Sequence, residues 1–229
     1  MKISTTVSQD FIRHVREILR LCLNDVKTGG GRRQGINGFS FHALPTYVCA
    51  VAAVEAFVNE TLLSQLPEML IKDSALWSLP REWREKRIEI GVKLVLLPQL
   101  LFGKTFARDT QPYQDMDLLI KVRNDLIHYK MSGRIPNYLK PLEDRGIALR
   151  DKGTTKETRA ISPWPHKLTC TEGVRWAHNT ACNTVRALFD FGTDGWKEVN
   201  QPLLENFTPI PEADIIKWYE EEGIDPFSA

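Results

Sequence analysis

Between Pro45 and Leu66 the chain reads PTYVCAVAAVEAFVNETLLSQL. Val48, Val51, Val54, Phe57, Val58, Leu62 and Leu66 leave this helix no wide polar side. A helix apolar nearly all round must be covered all round, so it belongs in the middle of an α-bundle. That requirement constrains the fold more than any other stretch. Two residues break the pattern, Glu55 and Asn59, one turn apart on a face that also carries Val48, Val51, Leu62 and Leu66. A carboxylate in such a place needs a cation.

A second helix, expected from about Pro112 to Lys130, has the matching defect. At about 100° per residue, Leu118, Tyr129, Val122, Leu126, Leu119, Met116, Ile127 and Ile120 share one broad apolar arc. Lys121, Asn124, Asp125 and His128 lie opposite. Arg123 intrudes on the arc, where an unpaired guanidinium costs several kcal/mol. The two intruders answer each other, so Glu55 is expected to face Arg123. The alternatives are a Glu55 that reaches solvent or pairs with another Arg. The arc is also wider than one four-helix bundle needs, which predicts a homodimer through this helix.

Two further helices complete the bundle. Ser8 is a candidate N-cap for a helix to about Val26, with Phe11, Ile12, Val15, Ile18, Leu19, Cys22, Leu23 and Val26 as its stripe. Thr169-x-x-Glu172 has the form of a capping box for a last helix ending near Phe191, whose Arg175, His178 and Asn179 read as surface residues. A fifth helix is expected from about Arg84 to Leu101, kinked or ended by Pro98. The run TGGGRRQGING lacks Gly-Lys-Ser/Thr and a preceding strand, so it reads as a flexible basic connection, not a phosphate cradle. From Met131 to Lys167 the helical pattern lapses. Arg134, Lys140, Arg145, Arg150, Lys152, Lys156 and Arg159 make this segment basic, which suits either contact with phosphates or a solvated loop. The chain thus divides into an all-α domain over 1–192, with an irregular basic segment at 131–167, and a tail over 193–229.

Charge sharpens the division. The whole chain of 229 residues has a net +1, but the tail holds two Lys against nine Asp and Glu, a net −7 that leaves +8 for the rest. The tail also interleaves Trp196, Phe207, Trp218, Tyr219 and Phe227, more aromatic surface than a free acidic tail carries, so it packs back or binds a partner. The four cysteines lack CxxC spacing, which fits reduced thiols in a cytoplasm. The five histidines show no metal-ligand spacing, and no metal or other cofactor is expected. No stretch is long and apolar enough to span a bilayer, so no membrane partner is expected.

Three ordered strings, AVEAFVNE, EKRIEIGVKLVLLPQLLFGK and RNDLIHYK, together with the Arg-Asn-x-x-x-His order of the last, resemble a branch of bacterial proteins in the HEPN superfamily. The likeness covers roughly residues 45–132 and resumes weakly in the last helix. It implies an antiparallel helical bundle of four to five helices that acts as a metal-independent endoribonuclease, often a toxin or phage-defence component. Arg123 and His128 match the family's two defining positions, and Asn124 the polar residue after the Arg. Glu55, Asn59, Tyr129 and Lys130 would support them. The partners implied are RNA as substrate, a second copy of the chain, and an antitoxin or defence-system protein. In some family toxins a Tyr two residues after the His is modified by a partner nucleotidyltransferase. Here Tyr129 directly follows His128 and Lys130 takes the second position, a departure that puts that route in doubt.

The residue types suit the chemistry. RNA cleavage by the 2′-hydroxyl needs a base, an acid and positive charge on the phosphorane-like transition state. His serves both proton roles near neutrality, and Arg clamps phosphate with a permanent charge. One chain supplies one such His, and the family resolves this by dimerising. Arg123 and His128 stand five residues apart, about 140° around a helix, so they converge only through the Arg's length, a loosened last turn or a second subunit. The rival readings are a catalytically silent HEPN-like module that binds RNA or protein, and a bundle with no site.

Overall fold

A computed structural model describes residues 6–27, 33–34, 37–38, 40–63, 88–129, 135–150 and 163–222. Among these the protein is all-α. Its helices are α1 (Val7–Lys27), α2 (Leu44–Thr61), α3 (Ile90–Phe102), α4 (Tyr113–Ile127), α5 (Leu139–Asp144), α6 (Thr171–Phe191), α7 (Asp194–Asn200) and α8 (Glu212–Glu221). The described part of the Gly-rich run is not featureless: β1 (Arg33–Gln34) pairs antiparallel with β2 (Asn37–Gly38). No helix of the described residues is long and apolar enough to cross a membrane.

The all-round apolar helix takes the central place its composition demands. α2 packs on α1, α6, α4 and α3, and its Tyr47, Ala50, Val51, Ala53, Val54, Phe57 and Val58 are sealed from solvent. It stops at Thr61, whose hydroxyl donates back to the Phe57 carbonyl at 2.6 Å. Leu66, placed by the sequence on the same helix, lies outside the described residues, as does the expected start of α3 at Arg84. Pro98 does not end α3: the helix runs on to Phe102 and closes on Gly103, whose φ of 66° is the left-handed geometry glycine accepts without strain.

The caps differ from the sequence expectation in two places. Ser8 is buried inside the first turn of α1, donating from its hydroxyl to Glu60 on α2 at 2.6 Å, while Gln9 Oε1 reaches back to the Thr6 N–H at 3.4 Å. The start therefore falls two residues earlier, with Thr6 before the helix. At α6 the capping box is not formed: Thr169 donates to the His166 carbonyl at 2.6 Å and Glu172 is drawn to Arg175 at 2.5 Å. The helix begins one residue later than the box requires, with Cys170 as its N-cap, so Glu172 falls one position short of N3.

The acidic tail is part of the body. Trp196, Leu204 and Phe207 join the main core, with Phe207 edge-on to Phe57 at 5.7 Å between ring centres. Ile215 and Tyr219 of α8 pack on Ile18, Leu19, Cys22, Leu23 and Val26 of α1 as a second cluster. Polar clasps hold the connecting strap. Arg16 donates to the Asn206 carbonyl, Arg186 to that of Phe207 at 2.6 Å, and Asn179 exchanges two hydrogen bonds with the Ile210 backbone at 2.7 and 2.8 Å. Phe227 lies outside the described residues.

Candidate functional site

On α4 the buried stripe is Met116, Leu119 and Val122, facing α2 and α6. Leu118, Ile120, Leu126 and Tyr129 are partly buried against the same core, so the apolar surplus read from the sequence reduces to Ile127, 53% exposed. Arg123, one turn beyond Leu119, is half-buried at the margin of the stripe. Its Nε is buried without a hydrogen-bond partner, and the side chain forms no ion pair with any described residue.

The expected Glu55–Arg123 pair is therefore not formed. Glu55 and Asn59 instead receive Lys93 of α3, whose ammonium lies 3.2 Å from Glu55 Oε1 and 3.0 Å from Asn59 Oδ1. Lys93 is 1% exposed, whereas the Glu55 side chain retains 32% of its surface. The reasoning that a carboxylate on α2 needs a cation holds, but the cation comes from a different helix. A lone lysine inside the run IGVKLVLL was the available signal.

His128 forms the C-cap of α4, with φ −100° and ψ 20°, and its N–H donates to the Asn124 carbonyl at 3.0 Å. The imidazole and the Asn124 amide both face solvent and make no side-chain hydrogen bond to described residues. The helix end therefore displays the two groups one turn apart, while Arg123 is half-buried with its Nε enclosed. Lys130 lies outside the described residues.

Aromatic side chains beyond His128 anchor this helix end. Tyr129 packs edge-on against buried Trp164, ring centres 5.9 Å apart, and Tyr138 meets the same indole at 6.4 Å. Tyr138 also donates to Asp125 of α4 at 2.8 Å. Sequence reasoning did not single out Trp164 or Tyr138, because long-range aromatic packing has no local periodicity to betray it.

The described part of the basic segment is less free than its composition implied. Lys140 pairs with Asp144 at 2.6 Å, Arg145 grips both oxygens of Asp115 at 2.7 and 3.2 Å, and Lys167 pairs with Glu143 at 2.6 Å. Arg150 donates to the Glu143 carbonyl at 3.0 Å. Arg134, Lys152, Lys156 and Arg159 lie outside the described residues.

Elsewhere, His178 is a core residue, not a surface one. Burial pushes its pKa down to about 4, against a hydrogen bond with Asn179, and Arg16 lowers it further. Burial raises the thiols of Cys22, Cys49, Cys170 and Cys182, which disfavours a thiolate nucleophile at any of them. No group of three or more His, Cys, Asp or Glu is gathered as a metal site among the described residues. Among the described residues, a groove of about 480 Å³ lies between α3 and the start of α4, and another of about 320 Å³ is lined by Arg145, Arg175, Asn179 and Glu212; neither includes Arg123 or His128. No protein-family model, curated protein or solved structure matches the chain.

Proposed function

We propose that this chain is a HEPN-type endoribonuclease, a bundle of that family's arrangement, that cuts RNA without a metal and serves as a toxin or phage-defence component. The observation that carries the reading is Arg123. It is a half-buried guanidinium with a buried, unpartnered Nε and no carboxylate among the described residues to neutralise it, at the margin of a helix whose end displays Asn124 and His128. A cation kept unpaired at that cost is available to an anion, and phosphate matches its fork.

In the reaction, one His128 takes the proton of the 2′-hydroxyl as its oxygen bonds to phosphorus. The bond from phosphorus to the 5′-oxygen breaks, and a second imidazole protonates the leaving oxygen. Arg123 and Asn124 hold the phosphorane oxygens. A second copy of the chain supplies the second His128, and the products are a 2′,3′-cyclic phosphate and a 5′-hydroxyl.

The purified protein should cleave RNA in EDTA and leave that cyclic end. His128→Ala should abolish cleavage with its melting temperature unchanged, because the imidazole is solvent-facing. Arg123→Ala should also abolish cleavage and cost less than about 1 kcal/mol of stability, since it orphans no carboxylate. Cleavage that persists in His128→Ala would end the proposal. The silent RNA- or protein-binding module draws on a different observation: neither described groove contains the motif, and Lys140, Arg145, Arg150 and Lys167 of the basic segment are spent on internal pairs. Retention of RNA by a wild-type protein that never cuts it would favour that reading.

A further inference from the structure

Two of the polar clasps on the strap are guanidiniums with no acid to answer them. Arg16 of α1 reaches the carbonyl oxygens of Asn206 and Thr208 through one nitrogen, at 3.0 and 3.3 Å. Arg186 of α6 donates to the Phe207 carbonyl at 2.6 Å and to the Thr208 hydroxyl at 3.4 Å. Neither forms an ion pair with a described residue, and Arg16 Nε is enclosed with no hydrogen-bond partner. The neighbouring arginines of α1 differ: Arg13 is paired with Asp10 and Arg20 with Glu17. Two permanent positive charges are thus spent on neutral oxygens, where each would hold an anionic group more strongly.

The residue that both arginines reach carries a hydroxyl at the surface. Thr105, Thr110, Thr193 and Thr208 are all exposed, but among the described residues only Thr208 of these four meets a guanidinium. Thr208 Oγ1 also donates to the Glu205 carbonyl at 3.3 Å. Residues 207–211 have no regular secondary structure, and the proline at 209 disfavours helical backbone at Thr208. A non-helical, surface-lying hydroxyl followed by proline has the form that a proline-directed protein kinase takes into its cleft.

We propose that Thr208 is a phosphorylation site, modified by a Ser/Thr protein kinase, and that Arg16 and Arg186 receive the phosphate. Thr208 Oγ1 attacks the γ-phosphorus of a nucleoside triphosphate bound to the kinase. The new Oγ1–P bond forms as the bond from phosphorus to the β,γ-bridging oxygen breaks. The nucleoside diphosphate leaves, and the hydroxyl proton passes to the kinase's base. The hydrogen bond to the Glu205 carbonyl is lost with that proton. In exchange the strap gains a charge of about −1.5 to −2 and three acceptor oxygens, beside guanidiniums from two different helices. The phosphate therefore ties the strap to α1 and α6 at once. The site involves neither Arg123 nor His128 and stands apart from the nuclease reading.

In the experiment the full chain is incubated with ATP and a proline-directed Ser/Thr kinase as the probe, and the modified peptide is identified by mass spectrometry. One phosphate should enter on Thr208, and Thr208→Val should abolish it. Ser162 is the other hydroxyl of the sequence that a proline follows, so phosphate on Ser162 alone, or none at all, would overturn the proposal. The phosphorylated chain should melt about 2–4 °C above the unmodified one, the shift that one strong added contact gives a protein of this length. Arg16→Gln and Arg186→Gln, each compared with its own unmodified form, should at least halve that gain. A phosphorylated wild type that melts no higher, or a gain undiminished in both variants, would overturn the proposal, because a merely exposed threonine gives those results. Inorganic phosphate added to Thr208→Val should leave its melting temperature in place. A rise there equal to that of the phosphorylated chain would make the arginine pair a site for free anions and overturn the proposal equally.

Discussion

At the scale of single residues, two basic side chains in apolar surroundings behave differently. Lys93 is buried and satisfied by Glu55 and Asn59, whereas Arg123 is half-buried with an unpartnered Nε. His178 shows a third outcome, in which burial keeps the ring neutral, between Asn179 and Cys182 and under the field of Arg16. The sign of its effect on stability follows from the depressed pKa. Above pH of about 6.5 neither the folded nor the unfolded chain protonates this ring, and its contribution is intact. As pH falls from there toward about 4 the unfolded chain takes up a proton that the fold refuses, and stability drops by roughly 3 kcal/mol. Denaturant unfolding at pH 7.5 and pH 4.5 should show that loss, and His178→Leu should remove this part of the slope. An equal slope in the variant would place the titrating group elsewhere.

At the scale of elements, the polar bridge between α2 and α3 is lopsided. Glu55 keeps 32% of its side-chain surface and can hydrate if its partner is lost, but Lys93 at 1% cannot. Glu55→Ala should therefore cost about 3 kcal/mol by taking the carboxylate away from a buried ammonium, while Lys93→Met, which fills the same volume without charge, should be nearly neutral. Denaturation of both variants checks this; equal costs would mean that the pair itself, not the uncompensated charge, sets the energy. The same bridge shows how far the sequence was legible. The need for a cation near Glu55 followed from periodicity, because α2 is apolar all round. Which helix supplied it did not follow, because spacing fixes the face of a residue on its own helix and says nothing of the neighbour it meets. The Thr169–Glu172 box failed for a related reason: the motif was present, but the helix began one residue later, at a Cys170 N-cap, and Glu172 pairs with Arg175. Arg123, Asn124 and His128 were legible as a spaced set, whereas the Tyr129–Trp164–Tyr138 cluster behind them joins segments whose contact only the fold reveals.

At the scale of the whole molecule, the tail belongs to the core. Phe207 is fully buried against Phe57, so Phe207→Ala should cost about 3–5 kcal/mol, as removal of a large core ring does. Calorimetry should show one cooperative transition at a lower temperature; a barely shifted transition would mean that the strap adds little to the body. The strap also ties together segments far apart along the chain. Gln9 of α1 donates to the carbonyl of Pro202, and Arg16 to those of Asn206 and Thr208, so α1 is fastened by residues made long after it. Contacts so distant along the chain close late and slowly. During synthesis α1 must wait, its stripe of Ile18, Leu19, Cys22, Leu23 and Val26 uncovered by α8 until that helix has left the ribosome. A chain released short of its tail therefore carries a ready-made sticky face, which is the kind of surface that chaperones and proteases recognise, and its fate is settled by the timing of translation before any question of activity arises.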